Sequence, residues 1–263
     1  MQFLEMPLIE LELCFIQLQF CFLGDKIMSN KKDVFGFWQI RNYDFEKDRS
    51  NGITSEYPIV EGTSKIPEKL VLFGKENKAE NLKDSATSTI HFFQDDFLFE
   101  PTITSEKKSN AKLETFRKYQ SVILPDCSIY TNLPLPVQQY QTYKSRAYGI
   151  YLLSNGVNVI PSIRWGDKYS WDFCFEGIKK HSLLAVGTLS ALGTSEDREN
   201  FHKGFLEMIN RLDPSSLIIY GKLPDEEKFL CHERRIFYKE YPTELSKALR
   251  KKVIGQDALN FFA

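Results

Sequence analysis

Several things that would announce a function are missing from this chain. Its five cysteines, Cys14, Cys21, Cys127, Cys174 and Cys231, include no C-x-x-C pair, so neither a redox dithiol nor a zinc ribbon is written into their spacing. An odd, scattered set without a secretory signal reads as reduced thiols in a cytoplasm. The four histidines, His91, His181, His202 and His232, also lack the paired spacing of a zinc site, and no zinc is expected. Neither sign of charge dominates. With 34 basic and 35 acidic side chains the net charge is −1, which removes the cationic surface needed to coat DNA regardless of sequence. No G-x-x-x-x-G-K-[ST] loop, G-x-G-x-x-G turn or H-E-x-x-H pair is present, so no nucleotide-cofactor motif supplies the usual backbone cradle for phosphates. Gly187 to Gly193 has the wrong spacing for a G-x-S-x-G nucleophile elbow.

One apolar stretch stands out, Met1 to Ile27. Glu5, Glu10 and Glu12 interrupt it, and carboxylates inside a span carry heavy insertion penalties. It also lacks a basic leader and a small-residue cleavage site, so no membrane association is expected. Gly24-Asp25-Lys26-Ile27-Met28 back-translates to a purine-rich ribosome-binding sequence ahead of a start codon. We therefore expect translation to begin at Met28 and residues 1–27 to be a spurious extension of the reading frame, an interfacial helix being the alternative. The intact mass of natively expressed protein checks this, and a species retaining Met1 overturns it.

What is present is material for a core. Of 263 residues 42 % are hydrophobic, with 21 Phe and 12 Tyr, enough for one large domain or one domain with an appendage. Residues 28–84 are polar and punctuated by Gly, Pro, Asn and Ser, and read as an irregular N-terminal arm or lid with β-like runs at Phe35–Ile40 and Leu70–Phe73. From 85 to 242 apolar runs of strand length alternate with helical periodicity. The runs are Thr89–Phe93, Ser121–Leu124, Val157–Ile163, Leu183–Val186, Leu217–Tyr220 and Ile236–Tyr238. Runs apolar on both sides suit parallel strands covered on both faces. Between them, Pro136 opens a helix carrying Val137, Tyr140, Ala147, Tyr148 and Tyr151 on one face, stopped at Asn155-Gly156. Ser195 is placed to cap a second, with Phe201, Phe205, Met208, Ile209 and Leu212 as its apolar stripe. Shorter helices are expected at Tyr169–Phe175 and Asp225–Cys231. The alternation specifies an α/β fold with a mainly parallel sheet and right-handed crossovers. An incomplete (β/α) barrel and an open doubly wound sheet both satisfy it, the barrel being preferred. Residues 243–263 read as a C-terminal amphipathic helix and tail, a surface for a protein partner.

In such folds ligands gather at the carboxyl ends of the strands, where the loops converge. Gln94, Asp95 and Asp96 follow the first run, Asp126 the second, Arg164 to Asp167 the third, Gly187 and Thr188 the fourth, and Tyr220 to Lys222 the fifth. Carboxylates on one rim suit a hard cation such as Mg²⁺ or Mn²⁺, with Asp96, Asp126 and Asp167 as candidate ligands. Asp126, Arg164 and Asp167 are the candidate catalytic residues, Arg164 as a bidentate clamp on phosphate or carboxylate. Plainer roles compete with each: an Asx-turn for Asp126, turn residues at Asp95 and Asp96, and an Arg164–Asp167 ion pair. Two basic groups, at Lys107 to Lys118 and at Arg234 to Lys252, interleave with aromatics and are candidate single-strand binders.

The blocks HFFQDDFLFE (His91–Glu100), SVILPDCSIYTNLPL (Ser121–Leu135), SNGVNVIPSIRWGD (Ser154–Asp167), WDFCFEGI (Trp171–Ile178), LLAVGT (Leu183–Thr188), SEDR (Ser195–Arg198) and LIIYG (Leu217–Gly221) carry a resemblance. In order and content they resemble the domain-of-unknown-function family four-four-one-seven, found in prophages, plasmids and other mobile elements. The resemblance implies a mobile-element setting and brings no established activity. Two functions are therefore expected as rivals. One is a metal-assisted phosphoester hydrolase or transferase acting on a nucleotide or nucleic acid at the rim. The other is a non-catalytic accessory factor that binds nucleic acid or protein.

Overall fold

A computed structural model describes residues 37–41, 43–52, 55–189 and 191–249. The expected spurious extension at 1–27 and the tail beyond 249 lie outside the described residues.

Among the described residues seven strands alternate with helices. They are β1 (Lys69–Leu72), β2 (Ser88–His91), β3 (Ser121–Ile123), β4 (Val159–Ile160), β5 (Leu183–Gly187), β6 (Ser216–Tyr220) and β7 (Phe237–Tyr241). The helices are α1 (Phe45–Ser50), α2 (Ala79–Leu82), α3 (Asp96–Ile103), α4 (Glu106–Phe116), α5 (Leu135–Ser154), α6 (Trp171–Cys174), α7 (Ser195–Leu212) and α8 (Asp225–Glu233). Every ladder is parallel, and the strands stand in sequence order, β1-β2-β3-β4 and then β5-β6-β7.

That order decides between the two expected architectures. A doubly wound sheet reverses its strand order so that helices cover both faces. Here the order never reverses, so right-handed crossovers place the helices on one face and the other face turns inward. Leu70, Phe93, Ile123, Ile160, Leu183, Ala185, Ile218, Tyr220 and Tyr241, from strands or the residue just past them, form one interior cluster. Their outward neighbours pack under the helices in two separate clusters. Val71, Ile90, Val122 and Val159 belong to one, and Leu184, Val186, Leu217 and Ile219 to the other. The result is an incomplete (β/α) barrel.

Two seams interrupt it. Pro161 has no N–H to give to a ladder, so β4 stops at Ile160. The chain meets β5 only through a bridge between Ser162 and Ala185, with Ala185 N–H donating to Pro161 O (2.9 Å) and Ile163 N–H to Ala185 O (2.9 Å). The second seam lies between β7 and β1, which share no ladder. Side chains span it: Tyr241 Oη and Lys239 Nζ donate to Pro67 O, and Lys75 pairs with Glu244.

The long helices follow their sequence signals closely. α7 carries Phe201, Phe205, Met208, Ile209 and Leu212 on its buried face, each side chain contributing roughly 1.5–3 kcal/mol when fully removed from water. Its cap is Thr194 rather than Ser195, one half of a capping box with Asp197, and Asp213 closes the helix in the left-handed region at φ 42°. α5 runs from Pro136 in its first turn to Asn155-Gly156, as expected. Its first turn projects past the sheet, however, leaving Val137 exposed. Four elements differ from the sequence reading. Phe37–Ile40 is a 3-10 turn with Trp38 edge-on to Tyr151, not a strand. β1 lies within the stretch read as an arm. The helices α3 and α4 occupy a region where no helix was expected. Residues 244–249 are helical, opened by Thr243, whose Oγ1 accepts from Ser246 N–H at 3.1 Å. Among the described residues no helix is long and apolar enough to cross a membrane.

Candidate functional site

The carboxyl ends of β3, β4 and β5 converge on one acid and one base. Asp126 follows β3 after Pro125 and is 8 % exposed. Its Oδ2 meets Arg164 Nη1 at 3.4 Å, while its buried Oδ1 has no hydrogen-bond partner among the described residues. Burial pushes the carboxyl up from its ordinary 3.8 to about 6. The Arg164 charge pulls the other way, and Asp96 adds to the rise. Arg164 follows β4 past Pro161 and keeps a quarter of its side chain in contact with solvent. The third member is Gly187, at the end of β5. A Cβ there would stand 2.8 Å from the Phe93 ring and 3.6 Å from Asp126 Oδ2, so the missing side chain is what lets ring, carboxylate and strand end approach.

Beside this pair lies a cleft of about 340 Å³, whose walls include Tyr130, Arg164, Trp165, Gly187, Glu196 and Phe201. Trp165 is held against α7 at Gly204, where a Cβ would fall 2.2 Å from the indole nitrogen, and its Nε1–H donates to Asn200 O at 3.3 Å. Glu196 and Asp197 bring carboxylates to the cleft from the first turn of α7, but Asp197 is spent on the cap, accepting from Thr194 N–H at 3.0 Å and Oγ1–H at 2.7 Å. Among the described residues Arg164 is the only cation in the lining.

The other two carboxylates expected at the rim have separate employment. Asp96 opens α3 and accepts from Ser128 N–H (3.0 Å) and Ser128 Oγ–H (2.9 Å), tying that helix to the loop after β3. Asp167 caps a short 3-10 turn, accepting from Tyr169 N–H at 3.1 Å. Arg164 therefore pairs with Asp126, not with Asp167. Among the described residues, Asp96, Asp126 and Asp167 do not bring donor atoms within 4.8 Å of one another, so the donor set does not fit a three-carboxylate Mg²⁺ or Mn²⁺ cage.

The expected basic groups are also largely engaged. Lys112 pairs with Glu76, Lys118 with Glu114, and Arg117 donates to Asn155 O. Arg234 donates to Asn210, Lys239 to Pro67 O, and Lys247 pairs with Glu244. Arg250, Lys251 and Lys252 lie outside the described residues.

Sequence reasoning passed over Tyr130, Glu196, Asn200 and Phe201 as cleft residues. The usable signal was position: Tyr130 lies beyond a strand end, and the others lie in the first two turns of the helix that follows β5. It also passed over Lys144 and Arg146, buried cations on α5. Lys144 pairs with Glu100. Arg146 donates to Ser162 O, Cys174 O and Glu176 O, and burial lowers it to about 10. These bonds fix the backbone on either side of Arg164.

Comparison with known proteins follows the same span. The family model described as Domain of unknown function (DUF4417) matches residues 50–239, which take in every cleft residue named above. "Gene 1 protein" of Mycobacterium phage L5 is 33 % identical over 168 residues, 64 % of this chain and 69 % of the relative. "Gene 1 protein" of Mycobacterium phage D29 is 28 % identical over 189 residues, 72 % of this chain and 67 % of the relative. No solved structure matches.

Proposed function

The chain belongs to the DUF4417 family, a phage-associated domain of unknown function, and we propose that its rim cleft hydrolyses or transfers a phosphoester of a nucleotide or nucleic acid. One observation carries this reading: a buried carboxyl group raised to about 6, with a free oxygen, paired to an arginine on the wall of a ligand-sized cleft. Pockets of roughly 300–1,000 Å³ accept small ligands. Tyr130, Trp165 and Phe201 offer a base-sized apolar wall, Glu196 an acceptor for ribose hydroxyls, and Arg164 a planar fork for phosphate oxygens.

The chemistry runs through the pair. Asp126 at neutral pH is mostly ionised, yet its pKa is close enough to ambient for efficient proton transfer. When Arg164 turns its fork to a phosphoryl group, Asp126 loses the charge that held its pKa down and becomes a stronger base. It takes the proton from an attacking water or hydroxyl as the new P–O bond forms. As the old P–O bond breaks, the proton passes to the departing oxygen. No step is routed through a metal, because the three rim carboxylates do not converge. The setting we propose is the cytoplasm of a cell carrying a phage or plasmid.

The rival reading, a binding factor without chemistry, draws on another observation. Phe97, Leu98, Tyr130 and Tyr169, on segments that follow β2, β3 and β4, are all more than half exposed, an apolar fringe that a macromolecule could cover. Turnover separates the two. The chain is assayed against nucleoside mono- and triphosphates and short single strands, with and without Mg²⁺ or Mn²⁺. Asp126→Asn and Arg164→Ala are each expected to lower turnover about 100-fold or more while melting near the wild type, with Arg164→Lys recovering only part. Absence of turnover on the whole panel, or an unchanged rate in Asp126→Asn, overturns the enzymatic reading.

A further inference from the structure

Away from the cleft, α7 and α8 place three metal-type donors together on the outer helical layer. We propose that His202, Glu226 and Glu227 bind one divalent transition-metal ion. Their donor atoms all lie within 4.8 Å of one another. His202 Nδ1 is 2.9 Å from Glu227 Oε1 and 3.5 Å from Glu226 Oε2. Metal–ligand bonds of about 2.0–2.2 Å set neighbouring ligands of a tetrahedral ion roughly 3.4 Å apart, so small side-chain adjustments suffice.

Acidic residues in a helix's first turn are ordinarily explained by the backbone dipole. That account covers Asp225 and Glu226, which are exposed, and Asp225 also has Lys228 at 3.0 Å. It does not cover Glu227, only 2 % exposed. Among the described residues this carboxylate has His202 as its only ionic partner, and its buried Oε2 has no hydrogen-bond partner. A buried acceptor left open beside an imidazole and a second carboxylate is what a cation would satisfy. One imidazole nitrogen with two carboxylate oxygens suits Zn²⁺, Mn²⁺ or Co²⁺ better than Mg²⁺, which prefers an all-oxygen shell. His202 and Glu226 line an open groove with Leu206, Asp225, Phe229 and Leu230, which leaves room for a water ligand. His202 and Glu227 both stand within helices, and on α7 the preceding residues Asn200 and Phe201 form part of the cleft wall.

The test is calorimetric titration of the metal-free, untagged chain with Zn²⁺, together with Co²⁺ as a visible-band probe of ligand geometry. One ion per chain is expected at micromolar metal, with a rise in Tm. His202→Ala and Glu227→Gln are each expected to weaken binding at least tenfold, and Asp126→Asn at the rim to leave it unchanged. His202 is 42 % exposed on a helix surface, so its variant reports even where the buried Glu227→Gln fails to fold. No saturable binding at micromolar metal, or binding that survives His202→Ala, overturns the proposal.

Discussion

Asp126 and His91 are two side chains whose burial writes a pH dependence into the protein, and they act in opposite senses. The Asp126 carboxyl is raised from 3.8 to about 6, so the folded state holds its proton more tightly than the unfolded chain. Its stabilising contribution is complete below about 4 and is lost as pH rises through about 6, a change of roughly 3 kcal/mol. Asp126→Asn should abolish that loss, so the variant gains on the wild type in urea denaturation at pH 8 relative to pH 4. The reverse trend would mean the carboxylate is held by partners it does not show. His91 sits inside the barrel, fully buried, its ring tilted at 44° against Tyr220 and accepting from Phe93 N–H at Nδ1 (3.2 Å). Burial lowers its pKa from 6.5 to about 3. The unfolded chain therefore binds the extra proton, and stability falls as pH drops below 6.5 towards 3. His91→Phe should flatten the acid limb of the same denaturation series. Asp126 and Arg164 were legible in sequence because each follows a strand run directly. That Asp96 braces Ser128 and Asp167 caps a turn was not, since the use of an exposed carboxylate depends on loop geometry that no pattern encodes.

At the scale of elements, α7 shows how packing overrules propensity. Gly204 stands in the middle of a helix, where alanine is ordinarily better by about 1 kcal/mol. Here the missing Cβ makes room for Trp165. Gly204→Ala should therefore destabilise by about 1–3 kcal/mol and shift tryptophan fluorescence as the indole leaves α7. A stabilised variant would show that the ring has slack. Thr194→Ala removes the cap and should cost about 1 kcal/mol in denaturant unfolding, while loosening the turn that carries Glu196 into the cleft. The same helix was readable in advance because its apolar stripe is unbroken, although the cap fell one residue earlier than expected, at Thr194. α3 and α4 were not. α3 leaves Phe97 and Leu98 exposed and contains Pro101, and α4 buries only Leu113 and Phe116 among its large apolar residues, so neither shows a clear 3.6-residue stripe. β1 was visible as the β-like run Leu70–Phe73, but the polar, turn-rich segment around it hid that this strand pairs with β2 as part of the main sheet.

At the scale of the whole molecule, the alternation of runs and helices was enough to specify a parallel α/β fold. The barrel followed only from strand order, which is a property of long-range pairing. The seam between β7 and β1 rests on side chains. Tyr241→Phe removes the hydroxyl bond to Pro67 O and should lower stability by about 1 kcal/mol, with amide exchange rising first along β7. The other seam has a different meaning. β1–β4 and β5–β7 each carry an outer core of their own, and Pro161 reduces the joint between β4 and β5 to the Ser162–Ala185 bridge. The cleft straddles that joint: Ile163 and Arg164 belong to one bank, Val186 and Gly187 to the other. An occupant of the cleft would act as a keystone, locking two half-barrels into one arch.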